Sequence, residues 1–135
     1  MVAYARANPA KFNYGTGNTV ALVASAQFKM LAGLNIAHIP YKGDAPTTND
    51  LLGGQIQMAF MTPIPALAMV KEGRLRLLAT LLPQRSSLAP EVPILAEIGN
   101  PELKKQLVEL ERYGLNAGWF GLVGPGNLPP PIVRT

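Results

Sequence analysis

The stretch NYGTGNTVALVASAQF, residues 13–28, predicts a short strand, a glycine-rich turn and a long helix in direct succession. Gly15 and Gly17 are predicted to take backbone angles closed to other residues, so that the chain reverses while its N–H groups stay uncovered. Asn18 or Thr19 can then cap the helix. Unpaired first-turn N–H groups and the helix dipole suit an anion, each such interaction contributing about 0.3–1 kcal/mol when exposed. An ordinary strand-to-helix connection with a normal cap is the alternative interpretation of this turn.

The composition excludes several classes of protein. The 135 residues predict one domain, since a chain of this size buries roughly two thirds of its unfolded surface. The net charge of +4 is dispersed and the aromatic residues lie apart from the basic ones. This pattern argues against nucleic-acid binding and favours a mild attraction for anionic ligands. With no cysteine and one histidine, disulfides are excluded and a transition-metal site is not expected.

Strand and helix patterns alternate along the chain. Strands are predicted over residues 11–14, 36–40, 56–61, 75–81 and 116–123, and helices over residues 4–7, 19–32, 45–52, 65–72, 94–98 and 102–112. Successive strand–helix–strand units of this spacing predict right-handed crossovers and an α/β fold, in which helices cover both faces of a mostly parallel sheet. The strand at 36–40 is apolar and is predicted to be buried, with His38 as a core or strand histidine in preference to a general base.

The predicted ligand site follows from this sheet, because open parallel sheets bind ligands outside the carboxyl ends of their strands. Four predicted turns leave those ends, over residues 15–19, 41–44, 62–64 and 82–87. They supply main-chain amides, hydroxyls and the positive charges of Lys42 and Arg85, which suits an anion of modest size. Asp44 is the free carboxylate among them. It either caps the helix that follows or accepts a hydrogen bond from a ligand amine or hydroxyl.

Nucleotide-binding and catalytic motifs are missing from the sequence. The dinucleotide fingerprint needs a third glycine where Val20 stands, and the phosphate-binding loop needs a Lys-Ser/Thr pair after its second glycine. Because no nucleophile and base form a recognisable pair, we predict that the protein is not an enzyme and needs no cofactor.

Five segments together resemble the second lobe of the Bug-type solute receptors of tripartite tricarboxylate transporters. They are NYGTGNT, IPYKGDAPTTNDLLGGQIQMAF, ALAMVKEGRLRLLAT, PQRSSLAPEVPILAEIG and WFGLVGPGNLPPPIV, and they span nearly the whole chain in order. The resemblance implies one lobe of a periplasmic-binding-protein type II-like fold. It also implies a receptor that clamps a small organic di- or tricarboxylate between two α/β lobes and passes it to a membrane permease.

The resemblance also implies that the first glycine turn contacts a ligand carboxylate through hydroxyls and main-chain amides. With the neighbouring turns included, the predicted ligand-binding residues are Tyr14, Thr16, Gly17, Asn18, Thr19, Gly43, Asp44 and Thr62. Two positions depart from the family pattern, since Leu22 stands near the place of a frequent histidine and Thr62 stands where many members carry an aspartate.

The resemblance covers a single domain, residues 1–135, with residues 1–10 and 124–135 as lobe-connecting ends. The first lobe is not in this sequence, so we expect a fragment, a truncated reading frame or a free-standing lobe. A periplasmic location is implied by the resemblance, whereas the lack of a signal-peptide pattern predicts a cytoplasmic one if this is the whole reading frame. Expected partners are the missing lobe or a second copy, the latter giving the alternative function of an oligomerising module without tight ligand binding.

Overall fold

The computed structural model of this protein describes residues 1–82, 84–98 and 121–127. In chain order its elements are α1 (Val2–Ala7), a 3₁₀ turn (Pro9–Lys11), β1 (Asn13–Thr16), α2 (Thr19–Leu31), β2 (Ala37–Pro40), α3 (Asp44–Leu52), β3 (Met58–Met61), α4 (Pro63–Lys71), β4 (Leu75–Thr80), α5 (Leu95–Ile98) and β5 (Gly121–Pro125). The predicted helix at 102–112 and the start of the strand predicted at 116–123 lie outside the described residues.

The strands form one mixed sheet in the order β2-β1-β3-β5-β4. β1 pairs in parallel with both β2 and β3, whereas β5 runs antiparallel to β3 and to β4. The predicted α/β class and mostly parallel sheet are therefore confirmed. β5 fills the place between β3 and β4, so these two strands are not direct neighbours in the sheet.

The sheet separates two apolar layers, as expected for helices on both faces. Successive side chains of β3 point to opposite faces of the sheet, so its four buried residues are divided between the two layers. Met58 and Phe60 belong to the first apolar cluster, and Ala59 and Met61 belong to the second. The first cluster includes residues of α1 and α2, and the second includes residues of α3 and α4. Phe60 meets Phe28 of α2 edge to face, with ring centroids 6.1 Å apart. Three layers follow from the period-2 pattern of this central strand.

The first strand begins later than predicted. Lys11 closes the 3₁₀ turn, and β1 continues through Gly15 and Thr16, which were expected in the turn. Neither Gly15 nor Gly17 has a positive φ, so the predicted reason for these glycines is wrong. A lack of space explains the glycine at position 15, because a Cβ on Gly15 would lie 2.5 Å from Cδ1 of Ile56 and 2.8 Å from Cε2 of Tyr41.

The prediction that the second strand is buried is also wrong. β2 lies at the edge of the sheet, where Ala37 and Pro40 are exposed and His38 and Ile39 are half-buried. An edge strand has a neighbour on one side only, and it accommodates a proline that could not donate to a ladder. Within the described residues, no helix combines the length and hydropathy that crossing a bilayer requires.

Candidate functional site

Three loops meet at the carboxyl edge of the parallel strands, where β1, β2 and β3 lead into α2, α3 and α4. Asn18 Nδ2 donates a 2.9 Å hydrogen bond to Asp44 Oδ1. Thr62 Oγ1 donates a longer one, 3.4 Å, to Asp44 Oδ2. We call these three residues the Asp44 cluster. The structure thus brings together three of the predicted ligand-binding residues, one from each loop.

Asn18 serves two elements with one side chain. Its Oδ1 accepts a 2.8 Å hydrogen bond from the Ala21 amide and so caps α2, which settles the predicted choice between Asn18 and Thr19. Such a cap contributes about 0.5–2 kcal/mol. Its Nδ2 reaches across to Asp44, so the beginning of α2 is held against the beginning of α3.

Gly17 and Gly43 let these two helix beginnings touch through their backbones. A Cβ on Gly17 would lie 2.5 Å from the carbonyl carbon and oxygen of Gly43 and 2.7 Å from the Asp44 nitrogen. Gly43 itself has φ 154° and ψ 176°, a backbone conformation essentially restricted to glycine. A Cβ at Gly43 would meet nothing within 4 Å, so the space on the Cβ side of Gly43 is open, whereas its carbonyl group lies against Gly17.

Of the two roles predicted for Asp44, the cap of α3 is not observed. The N-cap is Gly43, and Asp44 is the first helical residue. Because the Asp44 carboxylate makes no capping bond to its own helix, it is available to the neighbouring loops. There it accepts hydrogen bonds from Asn18 and Thr62. At α4 the N-cap is Thr62, and its side chain likewise makes no capping bond to its own helix.

The Asp44 cluster has a mixed electrostatic character. The first amides of a helix have no acceptor inside it, and at α3 no side chain caps them either. The positive ends of the α2, α3 and α4 dipoles therefore point toward one edge, which favours an anion. Asp44 adds a half-buried negative charge at the same place, which favours a hydrogen-bond donor.

Tyr14 and Thr16 lie below this edge and are 4% and 5% exposed. Thr16 Oγ1 and His38 Nε2 are 2.7 Å apart and share a hydrogen bond whose direction depends on the histidine tautomer. The Tyr14 and His38 rings stack with centroids 4.9 Å apart. Burial raises the pKa of Tyr14. His38 is therefore a strand histidine, as predicted, that supports the first loop from β2.

The contact between His38 and the first loop was not predicted from the sequence. Part of this contact follows from the pairing of the strands, because parallel pairing of β1 with β2 sets Tyr14 opposite His38. The register of that pairing, however, depends on two segments more than twenty residues apart and has no local marker in the chain.

Tyr41 joins the second loop to the rest of the site. Its amide donates to the Thr16 carbonyl at 2.9 Å, and its hydroxyl donates to Asp50 Oδ2 at 2.7 Å. Burial, followed by the hydrogen bond and the negative charge of Asp50, raises the pKa of Tyr41 to about 12. Tyr41 therefore links β1 to α3 in its protonated form at neutral pH.

Among the residues that the structure describes, no hydrogen bond joins the fourth predicted turn to the other three. β5 separates β3 from β4, so the carboxyl end of β4 is two strand spacings, about 10 Å, from that of β3. Arg85 forms a local network instead, with Nη2 2.9 Å from Glu97 Oε2 and Nη1 donating to the Pro90 carbonyl at 3.1 Å. Arg85 lowers the pKa of Glu97. Lys42 is exposed and forms no ion pair among the described residues.

An open groove of about 510 Å³ lies elsewhere, beside α1 and β4. Its lining is mostly apolar and includes Val2, Phe28, Leu77 and Leu122. None of the predicted ligand-binding residues lines it, and Arg76 is the cationic side chain in its lining. The groove and the Asp44 cluster are thus separate features.

Comparison with known proteins decides the family. All of residues 1–135 match the model of TctC, the tripartite tricarboxylate transporter family receptor. This chain belongs to that family. The resemblance proposed from the five segments is therefore confirmed.

The relatives agree over nearly the whole chain. The UPF0065 protein in the gbd 5′ region of Cupriavidus necator is 35% identical over 136 residues, covering 98% of this chain and 37% of its own length. A solved periplasmic transporter is 31% identical with a TM-score of 0.70, covering 98% of this chain and 41% of that one. The solved R. palustris Rpa4515 with adipate is 25% identical with a TM-score of 0.71 and the same coverage. This chain spans about two fifths of the length of these proteins.

Proposed function

We propose that this chain is the ligand-binding lobe of a solute receptor for small organic di- or tricarboxylates that feeds a tripartite tricarboxylate transporter. The match of the receptor family over residues 1–135 carries the proposal. The adipate in the 25% identical relative supports the ligand class. The helix beginnings at the Asp44 cluster supply the chemistry that a carboxylate requires.

In this proposal the ligand carboxylate contacts main-chain amides from Gly17 to Thr19 and those of Gly43 and Asp44. The space on the Cβ side of Gly43 is open, which leaves room for the ligand to approach from that side. Thr62 adds a hydroxyl next to Asp44. Tyr14 and Thr16 are buried and hold the first loop from below, and their contact with the ligand stays a prediction.

The family consists of receptors and not of enzymes, so binding and delivery are the proposed activities. The solved relative described as a periplasmic transporter supports a periplasmic place of action. The relatives are more than twice as long as this chain, which leaves room in them for a first lobe. In this proposal the first lobe supplies the opposite wall of the site, and a membrane permease receives the ligand. The assignment of residues 1–10 and 124–135 as lobe-connecting ends stays a prediction.

A chemical-shift titration of the ¹⁵N-labelled chain with adipate tests the proposal. We expect the amide signals of Gly17, Asn18, Thr19, Gly43 and Asp44 to move together. Because half of the binding cleft is formed by the other lobe, the expected Kd is weak, about 1 mM or above, which corresponds to about −4 kcal/mol or less favourable.

The matched control ligand is 1,6-hexanediol, which keeps the carbon chain and removes both carboxylates. It should leave these five amides unmoved. Adipate shifts that are absent, or that occur only at the apolar groove, would refute the proposed site. Light scattering at several concentrations tests the alternative of an oligomerising module, since a strictly monomeric chain would exclude it.

A further inference from the structure

Asp44 presents a negative charge inside a site proposed for anions. It is half-buried, and the ion pairs formed among the described residues are Arg74–Glu72 and Arg85–Glu97, neither of which includes it. Its charge is stabilised by the Asn18 amide and by the beginning of its own helix. The carboxylate therefore stays available for a ligand without first having to break an ion pair among these residues.

The two oxygens of Asp44 are unequally occupied. Oδ1 accepts the 2.9 Å bond from Asn18, which ties α3 to α2. Oδ2 receives only the 3.4 Å contact from Thr62, near the limit of a hydrogen bond. An ionised carboxylate accepts about four hydrogen bonds, so Oδ2 retains capacity for a donor brought by a ligand.

Asp44 presents two groups of opposite preference to a ligand at this edge, its main-chain amide and its side-chain carboxylate. The main-chain amides of the helix beginnings favour a carboxylate, whereas Oδ2 of Asp44 repels one and favours a hydroxyl or ammonium group. Since the Asp44 amide and carboxylate belong to the same residue, the two ligand groups must lie within one or two carbon atoms of each other. A carboxylate with a hydroxyl or amino group on a neighbouring carbon satisfies both demands.

We propose that Asp44 is a specificity-determining residue that selects hydroxy- or amino-substituted carboxylates over unsubstituted ones. The selection rests on the proposed function, because it acts on a ligand bound at the same amides. Asn18 positions Asp44 through Oδ1, and Oδ2 makes the discriminating contact.

The test compares succinate, malate and aspartate, which share a four-carbon dicarboxylate skeleton. Titrations follow the amide signals of residues 17–19 and 43–44 in the unmodified chain, in Asp44→Asn and in Asp50→Asn. We expect malate and aspartate to bind the unmodified chain about tenfold more tightly than succinate, the effect of one added hydrogen bond to a charged group. Asp44→Asn should remove this preference while leaving succinate binding equal or tighter, because the repulsion is gone.

Asp50→Asn is the matched control. Asp50 lies on the same helix, but its carboxylate is bonded to the Tyr41 hydroxyl, so the preference should persist. Equal binding of the three ligands to the unmodified chain would overturn the selection while leaving the proposed function standing. An equal loss of all three ligands in Asp44→Asn would overturn it too, since Asp44 would then act only as a tie between loops. No shift at these amides with any carboxylate would refute the proposed function and the selection with it.

Discussion

Replacement of Gly17 by alanine tests whether the meeting of α2 and α3 holds the site together. The new Cβ would lie 2.5 Å from the carbonyl carbon and oxygen of Gly43 and 2.7 Å from the Asp44 nitrogen, whereas ordinary contact begins near 3.4 Å. The two segments would have to separate by about 0.9 Å, the difference between 3.4 and 2.5 Å. All the opposing atoms are backbone, so no side chain can rotate away.

The expected cost has two parts. Overpacking of this kind costs about 1–3 kcal/mol. The separation also stretches the 2.9 Å bond from Asn18 to Asp44 beyond hydrogen-bonding distance. A bond to a charged group contributes about 1.5–3 kcal/mol, and the lower end applies because both residues are half-exposed. We therefore expect Gly17→Ala to lower the free energy of unfolding by about 2.5–4.5 kcal/mol.

Urea unfolding followed by circular dichroism measures this change. With a slope of about 2 kcal/mol per molar urea, the midpoint should fall by about 1.2–2.2 M. Gly53→Ala is the matched control, since Gly53 has φ −77° and its Cβ would approach no atom closer than 3.3 Å. Both variants restrict the unfolded chain equally, so that effect cancels. Equal midpoints for the two variants would refute the close backbone contact at Gly17.

Two further predictions concern the supports of the loops. Thr16→Val removes the hydrogen bond to His38 Nε2 and should lower the free energy of unfolding by about 1 kcal/mol, with altered NMR signals of the His38 ring; unchanged ring signals would contradict the bond. Tyr41 has a folded pKa of about 12, above the usual value of 10, so its contribution to stability is complete below pH 10 and is lost as the pH rises toward 12. Asp50→Asn should lower this pKa in an ultraviolet titration, and a titration identical to that of the unmodified chain would show that Asp50 is not the partner.

Much of the helical framework could be predicted because its causes are local. The apolar stripe and the Asn18 cap of α2 lie within a few residues of each other, and the structure has α2 at Thr19–Leu31 against a prediction of 19–32. The beginning of β1 was missed because Pro9 starts a 3₁₀ turn that carries the chain to Lys11. Burial of β2 was misjudged because an apolar run does not show whether a strand has one neighbour or two.

The candidate site was predictable in position but not in its contacts. The carboxyl-edge rule placed Asn18, Asp44 and Thr62 in loops at one end of the sheet, and they do meet. Asp44 does not take the first of its two predicted roles, the cap of α3, because Gly43 is the N-cap. Its real partners come from loops 26 and 18 residues away along the chain.

The sequence by itself determined the family, the α/β class, the order of the helices and strands within the described residues, and the edge of the sheet at which α2, α3 and α4 begin. The family follows from the resemblance of the five segments, and the other features depend on short-range periodicity, caps and glycines, whose effects act within a few residues. Only the tertiary structure decided that β5 enters between β3 and β4, that Thr16 meets His38, and that Asp44 joins the loops. Such contacts depend on strand register and on backbone approach between distant segments. At Gly17 the absence of one Cβ therefore matters for the space it leaves to α3 and not for its own backbone angles.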